Sequence, residues 1–309
     1  MLASIFSKSR PINYVLVGVS LVVFYFLYLL KDTQWVQHYY LIAQKLGLLL
    51  LLSGSLLVTG FITLKNTLTK ANSYAIVLFL LFLVLFPTTL INQNIIVANF
   101  FLLLALRRLI SLQSLISPKE KIFDASFWIF AASLFHFWCI IYIVLVFISI
   151  VFHVSRDYRN WIIPFIAFFA VGVIYSMVGL ITGHTFFSHI KNEIIPSFDF
   201  TYFENIYQNI ALAIFASIAA LFAGPYIVSI SSKPLNLQAS HKKVLFSFLI
   251  GIAIYALSAG KNNSFLTFTF APLAIMGGNY LEGQDNKWVR EAVVWGITAI
   301  AVFIYIMQL

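Results

Sequence analysis

Residues 125–155 read ASFWIFAASLFHFWCIIYIVLVFISIVFHVS, 31 consecutive positions without a formal charge between Asp124 and Arg156. One helix of that length would measure ~46 Å, against a hydrocarbon core of ~30 Å. Two helices would have ~15 residues each, short for full spans. Tilt accommodates a single long helix, so length alone leaves both arrangements open. The charges outside the stretch decide between them. Crossed twice, the segment leaves 15 Lys and Arg in loops on the side of the amino terminus and 4 (Lys31, Lys45, Lys191, Lys261) on the other. Crossed once, every later loop changes side and the counts become 10 and 9. Lys and Arg concentrate in cytoplasmic loops. The sequence therefore predicts a helical hairpin, or two re-entrant halves, at 125–152, with the amino terminus in the cytoplasm.

Composition sets the class. The chain is 61% hydrophobic and 9% charged, whereas soluble domains carry about 25% charged residues. Apolar runs recur from residue 12 to the last residue, which predicts one transmembrane domain over 1–309. The net charge of +9 sits in short loops between apolar runs. That is the distribution of topological anchors, not of a nucleic-acid surface. The run Ile12 to Leu30 is 19 residues long, too long for a signal-peptide core, and no small-residue cleavage site follows it. It reads as an uncleaved first span. The lone Cys139 excludes an intrachain disulfide and gives no support for a metal site.

The expected fold is all-α: a polytopic membrane protein with about 9–11 transmembrane helices. Spans are expected at 12–30, 46–63, 74–91, 95–106, 125–138, 139–152, 162–182, 209–230, 244–258, 265–278 and 292–308. Pro87 ahead of Asn92-Gln93-Asn94 predicts a tight hairpin, because proline ends or bends a helix. Phe187, Ile190 and Ile194, and then Phe203, Ile206, Tyr207 and Ile210, recur at helical spacing in the loop 183–208. They predict short amphipathic helices at the outer surface.

Few residues carry candidate chemistry. His136 lies inside the uncharged stretch, and an ionisable group at that depth is a functional candidate. Its aromatic neighbours Phe135, Phe137 and Trp138 equally suit a histidine that simply hydrogen-bonds within the bundle. Arg107 and Arg108 follow the fourth span, where they can anchor it or bind lipid phosphate through bidentate hydrogen bonds. The segment Leu109 to Ile116 has the spacing of a helix lying along the inner surface, and Asp124 is placed to cap the helix beginning at Ala125. In the outer loops, Asp32, Glu193, Asp199 and Glu204 are the carboxylates. Thr201 to Glu204 matches a capping box. His184 and His189 are five apart, which misses the spacing that puts two imidazoles on one helix face. No cofactor or metal is expected.

The segments SIFSKSRPINYVLV, NQNIIVANFFLLLALRRLISLQS, KIFDASFWIFAASLFHFW and RDYRNWIIPF together resemble an uncharacterised Bacteroidota family of polytopic membrane proteins, over nearly the full length. Residues 74–182 are also similar, more weakly, to the membrane core of the GT-C glycosyltransferases, which have a short helix pair between basic cytoplasmic turns. That resemblance implies transfer of sugar from a polyprenyl-phosphate donor on the outer face, with an acidic residue of the first outer loop as base. Asp32 is the acid in that loop; Arg107 and Arg108 would lie near lipid phosphate, and His136 and Asp199 would help bind substrate. The chain departs from that pattern in its short loop 31–45 and in lacking an acidic pair there. Three functions stay open: a GT-C-like transferase in envelope glycan assembly, a non-catalytic subunit scaffolding an envelope complex with another membrane protein, and a transporter or flippase. All three place the chain in the cell inner membrane.

Overall fold

A computed structural model describes residues 2–31, 34–182, 194–198 and 206–309. Among them there is no strand. A short helix α1 (Leu2–Phe6) precedes α2 (Pro11–Leu29), α3 (Tyr39–Lys65), α4 (Tyr74–Leu85), α5 (Gln93–Ile110) and α6 (Pro118–Ser133). Then come α7 (Ile143–His153), α8 (Arg159–Thr182), α9 (Ile206–Ser229), α10 (Leu235–Leu257), α11 (Thr267–Gly283) and α12 (Lys287–Gln308). From α2 onward the helices alternate between two faces of the bundle. The N-terminal face is tied together by Glu291, which accepts from the Ala3 and Ser4 backbone N–H groups, and by Glu282, which accepts from Lys70 N and Asn72 Nδ2. At the C-terminal face Lys31 Nζ donates to Gln308 O at 3.1 Å. Among the described residues seven helices (α2, α3, α5, α8, α9, α10 and α12) are long and apolar enough to cross a membrane. The protein is a multi-pass membrane protein.

The uncharged stretch is traversed as a pair. Its middle turns back through a 3-10 segment, Phe137–Tyr142. His136, just before the turn, meets Ser258 past the end of α10, while His153 at the far end of α7 meets Lys243 near the start of α10. The first arm begins at Pro118, not at residue 125. Proline is favoured in a first helical turn, and Lys119, Glu120, Lys121 and Asp124 are helical. Asp124 consequently does not cap the helix; it pairs with Arg108 at 2.8 Å. Residues 109–116 do not form a surface helix either, although Leu115 and Ile116 at their end are exposed. Leu109 and Ile110 end α5, Leu112 sits in a 3-10 turn, and all three are fully buried. The fourth span is accordingly longer than 95–106.

Two short helices form the centre. All twelve residues of α4 are buried, as is α11 from Thr267 to Gly278. At ~18 Å, α4 cannot span the hydrocarbon alone, and the protein around it removes that need by shielding its ends. Inside lipid, close packing rather than the hydrophobic effect holds helices together. Here Phe82, Phe86, Phe215 and Phe270 interlock with ring centroids 5.3–5.8 Å apart. Gly277 lets α11 approach: a Cβ there would fall 2.6 Å from Leu78 Cδ1 and 2.7 Å from Phe222.

Candidate functional site

Three chain reversals meet at the C-terminal face. Pro87 ends α4 and opens a 3-10 turn, Pro87–Ile91, after which the Asn92 side chain accepts from Ile95 N and starts α5. The second reversal is Phe137–Tyr142, and the third is Asn263–Leu266 between α10 and α11. Asn92 Nδ2 donates to Ser264 Oγ at 2.9 Å, joining the first to the third. His136 joins the second to the third: its Nε2 is 2.8 Å from Ser258 Oγ, and its ring stacks on Phe265 and Phe268 at 4.9 and 5.7 Å. Ser258 Oγ donates its own proton to Ile254 O at 2.6 Å. With that proton given to Ile254, Ser258 Oγ accepts from a His136 whose hydrogen is on Nε2.

Between these turns lies a cavity of about 200 Å³ lined by Asn92, Asn94, Phe135, His136, Trp138 and Phe265, among others. Backbone that is not helical at this position is stable because it faces protein or a polar cavity. The region also holds polar groups that the fold leaves unanswered. Thr88 Oγ1, Trp138 Nε1 and Asn263 Oδ1 are buried with no hydrogen-bond partner among the described residues. Each such group costs about 1–3 kcal/mol, unless a bound molecule satisfies it. Amide side chains beside aromatic faces offer what a hydroxyl-rich ring needs: donors and acceptors at its rim and a flat apolar surface against its C–H groups.

The sequence candidates divide between the two faces. His136 belongs to the cavity. Arg107 and Arg108 sit at the other end of α5, whose stretch from Gln93 to Arg107 is ~21 Å long. They do not join His136 in one site. Arg107 lies over the Phe61 ring with its Cζ 4.4 Å from the centroid, while Arg108 is held by Asp124. Asp32 and Asp199 lie outside the described residues, as do Glu193, Glu204, His184 and His189, and the expected surface helices lie there in large part. The remaining carboxylates, Glu120, Asp124, Asp157, Glu282, Asp285 and Glu291, all fall at the N-terminal face. There Asp157 receives the Arg159 backbone N–H at 3.0 Å, which holds its carboxyl below the usual range, and Lys119 at 3.3 Å adds to that effect. Among the described residues no three His, Cys, Asp or Glu side chains gather as metal ligands.

Sequence reasoning missed the partners of these residues. Trp138 was visible only as a packing neighbour, and Asn94 only as part of a turn. Lys243, counted as a loop anchor, is fully buried in α10, where its Nζ donates to Leu109 O at 2.6 Å and lies 3.0 Å from His153 Nε2. A lysine capping carbonyls at another helix's C-terminus leaves no mark in local spacing.

A family model matches residues 1–309 in full. The chain belongs to that family, the Family of unknown function (DUF6427). The match agrees with the expectation of an uncharacterised family and spans both faces, the cavity included. No curated protein and no solved structure matches the DUF6427 chain.

Proposed function

We propose that this DUF6427 protein resides in the inner membrane with its N-terminal face cytoplasmic, and that its outer cavity holds the sugar of a polyprenyl-phosphate-linked donor. The observation that carries this reading is a cavity lined by the amides of Asn92 and Asn94 and by the rings of Phe135, His136, Trp138 and Phe265, one of which, Trp138, has an unanswered Nε1–H. The location where three reversals meet also supports it, because a lipid-borne substrate can enter from the side. In the catalytic form of the reading, Asp32 takes the proton of an acceptor hydroxyl. That oxygen attacks the sugar's anomeric carbon, and the carbon–oxygen bond to the polyprenyl phosphate breaks, its electron pair leaving with the phosphate. Asp199 accepts hydrogen bonds from the sugar. A second reading, a non-catalytic subunit that scaffolds an envelope complex, is favoured by one observation: none of the described carboxylates lines the cavity.

The test uses the full chain in lipid nanodiscs, with a polyprenyl-phosphate-linked hexose as probe and binding and transfer to a glycan acceptor measured separately. The expected result is saturable binding that falls about tenfold in Trp138→Phe and Asn94→Ala, as for one lost hydrogen bond in a buried site. Transfer abolished by Asp32→Asn with binding intact supports the catalytic form. Binding without transfer in the unaltered protein supports the scaffold. No saturable binding overturns the proposal.

A further inference from the structure

Two cations from different helices converge on one aromatic ring at the N-terminal face. Lys65 lies one turn beyond Phe61 on α3, with its Nζ 5.0 Å from the ring centroid, and Arg107 reaches the same ring from α5 at 4.4 Å. Neither is paired with a carboxylate among the described residues. Arg108 is adjacent, and Lys121 lies within electrostatic range of both Arg108 and Lys65. Asp124 is held by Arg108. Among the described residues Lys65, Arg107 and Lys121 form no ion pair.

An open groove of about 540 Å³ lies beside this cluster on α2 and α3, lined by Tyr14, Leu57, Phe61, Leu64 and Lys65. Leu57 is 57% exposed, so the groove is not closed by the protein itself. Lys65 is exposed and Arg107 half-buried, and both cations lie against the Phe61 ring that lines the groove.

We propose that this is a binding site for an anionic phospholipid of the leaflet at the N-terminal face. Its phosphate sits between Lys65 and Arg107, where the guanidinium can donate two parallel hydrogen bonds. One acyl chain follows Tyr14, Leu57 and Leu64. A zwitterionic lipid brings its own cation into a cluster that is already positive, so charge selects the anionic headgroup. The site stands apart from the outer cavity and does not depend on its assignment.

Native mass spectrometry of the full chain, offered phosphatidylglycerol or phosphatidylcholine, tests the proposal. The expected result is preferential retention of phosphatidylglycerol. Retention should weaken about thirtyfold in Lys65→Gln/Arg107→Gln, from about 1 kcal/mol of surface attraction per lost charge, and should be unchanged in Lys8→Gln. Leu57→Trp keeps every charge and fills the groove; it should also reduce lipid retention, which protects the test if the double variant fails to fold. Equal retention of the two lipids, or unchanged retention in Leu57→Trp, overturns the site. Displacement of the lipid by millimolar inorganic phosphate overturns it too, by showing that the cluster takes free phosphate.

Discussion

The Nε2 of His136 lies 2.8 Å from Ser258 Oγ, whose own proton goes to Ile254 O. This pair fastens the turn between α6 and α7 to the end of α10, and it makes histidine the donor. Ser258→Ala removes the acceptor that faces Nε2 in a buried setting and should destabilise the protein by about 1–3 kcal/mol. His136→Phe removes the donor instead, leaves Ser258 satisfied by Ile254, and keeps the stack on Phe265. It should cost less than Ser258→Ala. Thermal unfolding in detergent checks the order; equal losses, or the reverse order, contradict the assigned roles.

Trp138 offers a test in which stability and binding move apart. Its Nε1–H is buried without a partner among the described residues. Trp138→Phe therefore removes an unsatisfied donor and should leave the melting temperature unchanged or higher. If the donor exists for a ligand, the same variant loses binding. A stability loss above about 2 kcal/mol would mark Trp138 as packing alone, because that is the range of a large-to-small change in a core.

Close packing at the centre predicts sharp intolerance at one glycine and none at another. Gly277→Ala brings a Cβ within 2.7 Å of both Leu78 and Phe222. It should cost about 1–3 kcal/mol through forced side-chain shifts. Gly172→Ala on α8 meets nothing within 4 Å and should be neutral or slightly stabilising. Chemical unfolding of the two variants side by side checks the contrast.

Lys243, Leu109 and His153 form a unit at the other end of α10. Lys243→Met leaves the Leu109 carbonyl and the His153 nitrogen without their buried donor and should destabilise by about 1–3 kcal/mol. In Lys243→Met/His153→Phe the histidine loses nothing further, so the two effects should fail to add by about 0.5–3 kcal/mol. A double-mutant cycle on unfolding free energies measures this; strict additivity would mean that the two side chains do not interact.

The hairpin was legible because charge bias acts on loops, and loops are where the sequence is polar. The fifteen Lys and Arg assigned to one side do fall at one face of the bundle. The start of its first arm was not legible: Lys119, Glu120, Lys121 and Asp124 are charged, and charge at a membrane boundary reads as loop although Pro118 opens a helix there. The central position of α4 was hidden for a different reason. Lipid and protein core are equally apolar, so YAIVLFLLFLVL looks the same whether it faces acyl chains or Phe270. His136 announced itself as an ionisable group at depth. Its partner Ser258 did not, because 122 residues separate them and only the tertiary packing brings them together.

The topology depends on the chain reversing between Ser133 and Ile143, which returns the loop after α7 to the side of the basic cluster, opposite the cavity. In a Cys139→Ser background, single cysteines at Asn94 and at the exposed Tyr158 can be challenged in intact cells with a membrane-impermeant thiol reagent. The account predicts that Asn94→Cys is labelled in intact cells and that Tyr158→Cys is labelled only after the cells are opened. Labelling of Tyr158→Cys in intact cells would contradict it.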